Sequence, residues 1–269
     1  MNNLSSKKEM PFLAHLEELR NHLLRAFLSI AIGTGLMMIN RTLVFDYILF
    51  APAKSDFITY RLFNFFGHFF HREDLIILPS DLHIQNRQLL GQFNTYIWVS
   101  LLGGIILAFP YIFYELWSFI RPGLSAKERN YSRGVVLGAT VLFTCGLLFG
   151  YFVLCPMAIQ FSYSFRISDL PENIFDLTDY ISIVTHSTLS MGLVFLFPLA
   201  VFFLTKIGLI SPKFLCTYRK HALLIMLVVA AAITPSDLLS MIIATIPLIA
   251  LYELSIVTCI IVSKKRVHR

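Results

Sequence analysis

Two carboxylates lie inside long apolar stretches, where ionisable side chains are costly and therefore informative. Glu115 precedes Arg121 by six residues in one stretch, and Glu253 precedes Lys264 by eleven residues in another. Such a glutamate is protonated or hydrogen-bonded within a helix bundle, or it extends towards the membrane surface. Glu115 and Glu253 are therefore candidates for an assembly-related or structural polar role.

Two further acidic residues lie among basic neighbours outside the apolar stretches. Glu18 is in the N-terminal segment, and Glu128 is in a short connection near the middle of the chain. A pair of carboxylates at a membrane surface suits a cationic ligand, because guanidinium binds carboxylate in a forked, charge-assisted geometry. Solvated surface acids remain the alternative interpretation of both residues.

Other polar clusters do not match the pattern of a metal or catalytic site. His186, Ser187 and Ser190 share an apolar stretch, where such residues more often hydrogen-bond neighbouring helices than catalyse hydrolysis. The GxSxG, HExxH, Walker and CxxC patterns are missing from the sequence. We therefore predict no enzymatic activity, no metal and no other cofactor. One loop contains five imidazole and carboxylate groups, whose spacing favours solvated polarity over a metal site: His68, His71, Glu73, Asp74 and His83.

The elements that must position these residues are membrane helices. Hydrophobic residues make up 57% of the 269 residues and charged residues only 14%, which points to lipid as the solvent. We predict an all-α polytopic membrane protein, a single membrane domain over residues 1–269. The fifth stretch reaches only about 18 Å of a hydrocarbon core of about 30 Å, so the fifth helix is predicted to be short. The six predicted transmembrane helices are 23–43, 93–120, 134–161, 180–204, 222–233 and 238–263.

The basic residues predict the orientation of the helices. Sixteen of the 22 Lys and Arg residues fall in the termini and in the two alternate connections on one side. Because such residues accumulate on the cytoplasmic side, both termini are predicted to be cytoplasmic. The net charge of +6 is then an orientation signal. No nucleic-acid partner is expected, because the basic residues are divided among four short segments.

Two connecting segments have features of their own. Residues 1–22 form a predicted amphipathic segment on the cytoplasmic interface, with apolar residues at helical spacing opposite Glu17, Glu18 and Arg20. Residues 44–92 form a long predicted outer loop, whose aromatic density predicts a cap on the outer membrane interface. Its aromatic residues are Phe57, Tyr60, Phe63, Phe65, Phe66, Phe69 and Phe70.

Several motifs, in order along nearly the whole chain, resemble the TatC family of the twin-arginine protein translocase. The first is His15-Leu16-Glu17-Glu18-Leu19-Arg20, which is similar to the N-terminal HLxELR signature of the family. Residues 109–129 resemble the second span and first cytoplasmic loop, and residues 149–161 the third span. Residues 208–212 and 234–253 resemble the second cytoplasmic loop and the last hairpin. This resemblance implies that the last two helices are short.

The resemblance implies a non-enzymatic receptor in the bacterial inner membrane. Such a receptor binds the twin-arginine signal peptides of folded proteins and recruits TatA-type subunits, powered by the proton-motive force. Further implied partners are a TatB-type subunit where one exists, other copies of the chain, and membrane lipid. Asp237, together with Glu253, is assigned to assembly or structure. The signal-peptide-binding positions that match the family are Glu18, Glu128, Arg20, Phe119 and Pro122.

The sequence also departs from the family pattern at two positions. Leu196 stands two residues before Pro198, where many members have glutamate, and Met241 stands where many have glutamine. A mechanism that requires a buried carboxylate at the first position is therefore not expected here. The alternative functions are a secondary transporter or channel for small solutes, or a structural scaffold. A transporter would show an internal repeat and paired broken helices, and no convincing repeat is found.

Overall fold

The computed structural model describes residues 12–69, 82–120, 132–168, 173–234 and 238–267. Almost all of these residues are helical, with two π-helical turns, one 3-10 turn and one short strand pair. The π-helices are Leu43–Leu49 and Gly150–Leu154, and the 3-10 turn is Ala51–Ala53. The strands β1 (Ile84–Gln85) and β2 (Phe175–Asp176) pair in parallel. The helices are α1 (Phe12–Ile39), α2 (Ile58–Phe69), α3 (Gly91–Ile120), α4 (Ser132–Phe149), α5 (Cys155–Ser164), α6 (Leu177–Val194), α7 (Phe197–Ile207), α8 (Pro212–Thr217), α9 (Arg219–Ile233) and α10 (Leu238–Val267).

Five helical segments of the described chain are long and apolar enough to cross a membrane. Two of them are composite: α4 continues through a π-helix into α5, and α6 continues into α7 after a break at Phe195 and Leu196. The polytopic α-helical membrane fold is thus confirmed. The count of six spans and the cytoplasmic position of the termini stay predictions. The five segments are Leu16–Ile39, Gly91–Ile120, Gly134–Ser164, Leu177–Ile207 and Ser240–Ser263.

The last two helices differ in length. The fifth predicted span is α9, which has 15 residues and is about 22 Å long, so it is short as predicted. The prediction of a short final helix is wrong, because α10 has 30 residues. No glycine interrupts α10, and Pro247 removes a single backbone donor.

The described part of the N-terminal segment is continuous with the first span. Its position on the cytoplasmic membrane interface stays a prediction. In the structure its residues from Phe12 onward are the first turns of α1, which continues without interruption to Ile39. Because neither glycine nor proline occurs between Phe12 and Ile32, nothing in this part of the sequence breaks the helix. The residues before Phe12 lie outside the described part of the chain.

The chain divides into two compact units. The smaller unit contains α1, residues 100–120 of α3 and residues 132–140 of α4. Within it, α1 and α3 approach closely at a pair of glycines. A Cβ atom on Gly33 would lie 2.7 Å from the backbone oxygen of Gly104, and one on Gly104 would lie 2.5 Å from the backbone nitrogen of Thr34. Only residues without a side chain fit this contact.

The larger unit contains residues 40–99 and the chain from residue 141 onward. In it, α10 packs against α7, α8 and α9. The hydroxyl of Tyr252 on α10 donates to the backbone oxygen of Leu215 at 2.8 Å, which ties α10 to α8. One hydrophobic core of this unit is formed by Leu154, Met191, Ala230, Ala244, Leu248 and Leu251.

The predicted outer loop packs against other segments of the larger unit, to which it belongs. Tyr180 donates its hydroxyl to the backbone oxygen of Leu49 at 2.8 Å, and Tyr60 donates to that of Pro52 at 3.0 Å. The Phe57 ring stacks on that of Phe152, with 5.7 Å between ring centroids. Burial raises the pKa of Tyr60, so its hydroxyl remains a protonated donor. Part of the predicted aromatic cap therefore contacts protein, whereas Phe65 is exposed.

Candidate functional site

A buried glutamate with two basic partners organises the smaller unit. The side chain of Glu115 on α3 is only 4% exposed, and its Oε2 forms a short hydrogen bond with Nδ1 of His22 on α1. Nη1 of Arg25 lies 4.0 Å from the same oxygen. A buried carboxylate is strongly unfavourable unless it is paired and hydrogen-bonded. His22 and Arg25, one helical turn apart on α1, meet this requirement.

The register of α1 and α3 places Glu18 and Phe119 at the same height along the helix pair. Along α1, His22 lies eleven residues before the glycine of the close contact, and along α3, Glu115 lies eleven residues after its glycine. The helices therefore run antiparallel in constant register. One further turn along each helix brings Glu18 level with Phe119. The Phe119 ring also contacts the His22 ring edge-on, with 6.2 Å between centroids.

The carboxylate of Glu18 is unpaired in the described part of the chain. Its Oε2 atom is buried without a hydrogen-bond partner there. The neighbouring cation, Arg20, pairs instead with Glu17, with 3.9 Å between Nη2 and Oε1. These two side chains are 68% and 70% exposed. Glu18 thus presents an acceptor that no described side chain satisfies, one turn away from His22.

The remaining predicted site residues have different positions. Glu253 belongs to the larger unit, where its Oε2 accepts a hydrogen bond from Arg219 at 2.9 Å, and both side chains are about half-exposed. Of the predicted signal-peptide residues, the structure brings Glu18 and Phe119 to one level, with Arg20 on the solvent side of the same helix. The predicted residues Glu128, Pro122 and Asp237 lie outside the described part of the chain.

Sequence reasoning missed His22 and Arg25. The available signal was Glu115 itself, because an acid inside an apolar helix implies a basic or hydrogen-bonding partner on another helix. His22 and Arg25 are the two basic residues nearest the start of the first apolar stretch. They are separated from Glu115 by about 90 positions, so their contact depends on helix register, which hydropathy does not report.

The family of the chain follows from its similarity to known proteins. Residues 14–247 match the family model described as Sec-independent protein translocase protein (TatC). The chain belongs to the TatC family. It is therefore a component of a protein translocase, embedded in a membrane by several apolar helices, and transport of small solutes has no support.

Relatives and solved structures extend the likeness over nearly the whole chain. The Sec-independent protein translocase protein TatC of Blattabacterium sp. subsp. Periplaneta americana (strain BPLAN) is 56% identical over 264 residues, which cover 97% of this chain and 99% of the relative. The TatC of Desulforapulum autotrophicum is 35% identical and covers 97% of this chain and 88% of the relative. A crystal structure of the twin-arginine translocase receptor TatC matches with a TM-score of 0.70 and 28% identity, covering 93% of this chain and 99% of that structure.

Proposed function

We propose that this TatC-family chain is the receptor that binds the twin-arginine signal peptides of folded proteins. It then recruits TatA-type subunits, and a TatB-type subunit where one exists, for export driven by the proton-motive force. The chain has six spans in a bacterial inner membrane, with both termini in the cytoplasm. The observation that supports this proposal most directly is the unpaired carboxylate of Glu18.

The unpaired oxygen of Glu18 favours a cationic ligand. A buried acceptor without a partner costs about 1 to 3 kcal/mol, and a guanidinium group can recover this energy through charge-assisted hydrogen bonds. Arg20 does not serve as the internal partner, because it pairs with Glu17 on the exposed side of the helix. The site is therefore poised for an arginine supplied by another chain.

The aromatic residue at the same level complements this carboxylate. Phe119 lies level with Glu18, and its ring is held by the edge of His22. An arginine side chain can pair with a carboxylate while its planar group lies against an aromatic ring. Glu128 would hold the second arginine, and Pro122 would shape the loop that presents Glu128; these two roles follow from the family resemblance.

The test measures peptide affinity in single-charge variants. The purified full chain in lipid nanodiscs is titrated with a fluorescent twin-arginine peptide, and with the same peptide carrying two lysines as a control. Glu18→Gln and Glu128→Gln should each weaken binding about tenfold or more, because one charge-assisted hydrogen bond is lost. Glu17→Gln is the matched control, since Glu17 is adjacent but exposed. Wild-type affinity in both test variants would refute the proposed site.

A further inference from the structure

Two neighbouring helices of the larger unit leave the membrane at the same level. The rings of Phe197 on α7 and Tyr252 on α10 stack, with 6.4 Å between their centroids. Further along both helices, the hydroxyl of Thr205 donates to the sulfur of Cys259 at 3.1 Å. The two helices therefore run side by side in the same direction, and their apolar spans end together.

The segment that follows α7 lies well short of this level. The hydroxyl of Tyr252 donates to the backbone oxygen of Leu215 on α8, and Arg219, the first residue of α9, pairs with Glu253. Glu253 precedes Ser263, where the span of α10 ends, by ten residues, about 15 Å. The short helix α8 and the first turn of α9 therefore lie in a recess beside the longer ends of α7 and α10.

This recess carries exposed cations that the chain neutralises only in part. Lys213 on α8 and Lys220 on α9 are exposed, and neither forms an ion pair with any residue that the structure describes. Arg219 is bound to Glu253, but its side chain remains 52% exposed. No aspartate or glutamate occurs in residues 180–236. We call Lys213, Arg219 and Lys220 the basic recess. Cations at this depth favour an anion supplied from outside the chain.

Aromatic rings beside these cations indicate the level of the lipid headgroups. Phe214 and Tyr218 are 51% and 46% exposed, and their ring centroids lie 4.7 Å apart. The ring of His221 lies 5.4 Å from that of Tyr218. Tyrosine is enriched at the boundary between headgroups and hydrocarbon, where its ring meets lipid and its hydroxyl meets water. The surroundings of the basic recess therefore suit lipid headgroups.

An exposed apolar face begins at the basic recess and continues along α9. Lys220, Leu224 and Val228 are spaced four residues apart, which aligns them on one face of the helix. Leu224 and Val228 are each 64% exposed. A cation followed by apolar surface matches a phospholipid, whose phosphate adjoins its acyl chains. A free phosphate ion or an acidic protein segment would leave this apolar surface uncovered.

We propose that the basic recess binds the phosphate of an anionic phospholipid, with one acyl chain along Leu224 and Val228. Lysine binds phosphate as a point charge, and Arg219 can add a charge-assisted hydrogen bond while it keeps its pair with Glu253. The site has three cations and one carboxylate, so a headgroup with a net negative charge is favoured over a zwitterionic one. The proposal is independent of signal-peptide binding and uses no residue of that site.

The test compares two lipids on the purified full chain in phosphatidylcholine nanodiscs. A trace of phosphatidylglycerol carries a photo-crosslinking group on its acyl chain, and a phosphatidylcholine with the same group is the matched lipid. Phosphatidylglycerol should crosslink to α9 at least about fivefold more than phosphatidylcholine, because one lysine near a headgroup contributes a factor of about five. Added salt should reduce this preference. Mass spectrometry locates the crosslinks, and equal crosslinking of α9 by the two lipids would overturn the proposal.

Charge variants assign the preference to the lysines. Lys213→Gln with Lys220→Gln should lower the preference for phosphatidylglycerol to about twofold or less, whereas Lys213→Arg with Lys220→Arg should retain it. The matched control is Arg41→Gln with Arg87→Gln, which removes two exposed cations from another part of the same unit. The control should keep the wild-type preference. An unchanged preference in the lysine-to-glutamine variant, or an equal loss in the control, would overturn the proposal.

Competition separates a lipid from a soluble anion. Unlabelled phosphatidylglycerol in the nanodisc should displace the labelled lipid from α9. Glycerophosphoglycerol, which is the same headgroup without acyl chains, should leave the crosslinking unchanged at millimolar concentration, because it gains nothing from the apolar face of α9. Displacement by the soluble headgroup alone would overturn the assignment to a lipid.

Discussion

The smaller and larger units stabilise their polar groups with different chemistry. In the smaller unit a charged group is buried: Glu115 is enclosed and depends on His22 and Arg25. Among the described residues of the larger unit the buried hydrogen bonds are neutral, as between Tyr180 and Leu49. Its interhelical ion pair, Glu253 with Arg219, stays half-exposed.

The difference shows that residue type alone does not determine the energetic role of a membrane glutamate. Glu115 and Glu253 both lie in apolar helices with a basic partner, yet their side chains are 4% and 49% exposed. Breaking a buried pair leaves an uncompensated charge, whereas an exposed pair contributes little. Four sets of variants test this contrast, each by the free energy of unfolding measured in mild detergent.

The largest effect is expected from Glu115→Ala. The change leaves His22 and Arg25 without their common carboxylate and opens a cavity, and the free energy of unfolding should fall by about 3 kcal/mol or more. The double variant His22→Leu with Glu115→Leu is the control, because replacing both partners with apolar groups should recover much of the loss. A loss below about 1 kcal/mol for Glu115→Ala would remove the contrast between the units.

The close helix contact of the smaller unit should give the next largest effect. In Gly104→Ala, the new Cβ would lie 2.5 Å from the backbone nitrogen of Thr34, so the helices must separate. We expect a loss of about 1 to 3 kcal/mol. Gly35→Ala is the matched control on α1, because a Cβ there meets nothing within 4 Å. It should be neutral or slightly stabilising, since alanine favours helix; equal losses in the two variants would contradict the contact.

A neutral buried hydrogen bond of the larger unit should rank third. Tyr180→Phe removes the donor to the Leu49 backbone oxygen and keeps the ring, so the free energy of unfolding should fall by about 1 to 2 kcal/mol. Tyr47→Phe is the control, because Tyr47 is 73% exposed, and no change is expected there. If both variants unfold like the wild type, the tyrosine hydroxyls do not hold the predicted outer loop.

The smallest effect is expected at the exposed ion pair. Glu253→Gln should change the free energy of unfolding by less than about 1 kcal/mol, and the difference should shrink as salt is added. Arg219→Gln should give a similar value, because it breaks the same pair. A salt-independent loss as large as that of Glu115→Ala would show that the Glu253 pair is shielded from water, which would erase the difference between the two glutamates.

Hydropathy and motif order were sufficient to predict the membrane fold and the family. Long apolar runs define spans directly, and the short α9 followed from the few apolar residues before Thr234. The expectation of a short final helix came from the family resemblance and not from hydropathy, since the apolar stretch 238–263 covers most of α10, which continues through Lys264 to Val267. Lysine and arginine are good helix formers, so a charged segment can leave the membrane while remaining helical.

The candidate site was predicted only in part. Glu18 and Phe119 were named from the family motifs, but their common level depends on the antiparallel register of α1 and α3. Local sequence does not encode that register, which is set by close packing at Gly33 and by the pairing of His22. The π-helix at Leu43–Leu49 was also not predicted. Its last carbonyl, that of Leu49, accepts a hydrogen bond from the Tyr180 hydroxyl, 131 residues away.

The glycine contact gives α1 the properties of a lever. Glu18 lies fifteen residues, about 22 Å, from Gly33 along a continuous helix, so a tilt of about 5° about this fulcrum would move the carboxylate by about 2 Å. That displacement is enough to break a hydrogen bond. If Glu18 binds the signal peptide as proposed, peptide affinity should therefore depend on side-chain volume near Gly33, far from any atom that the ligand touches.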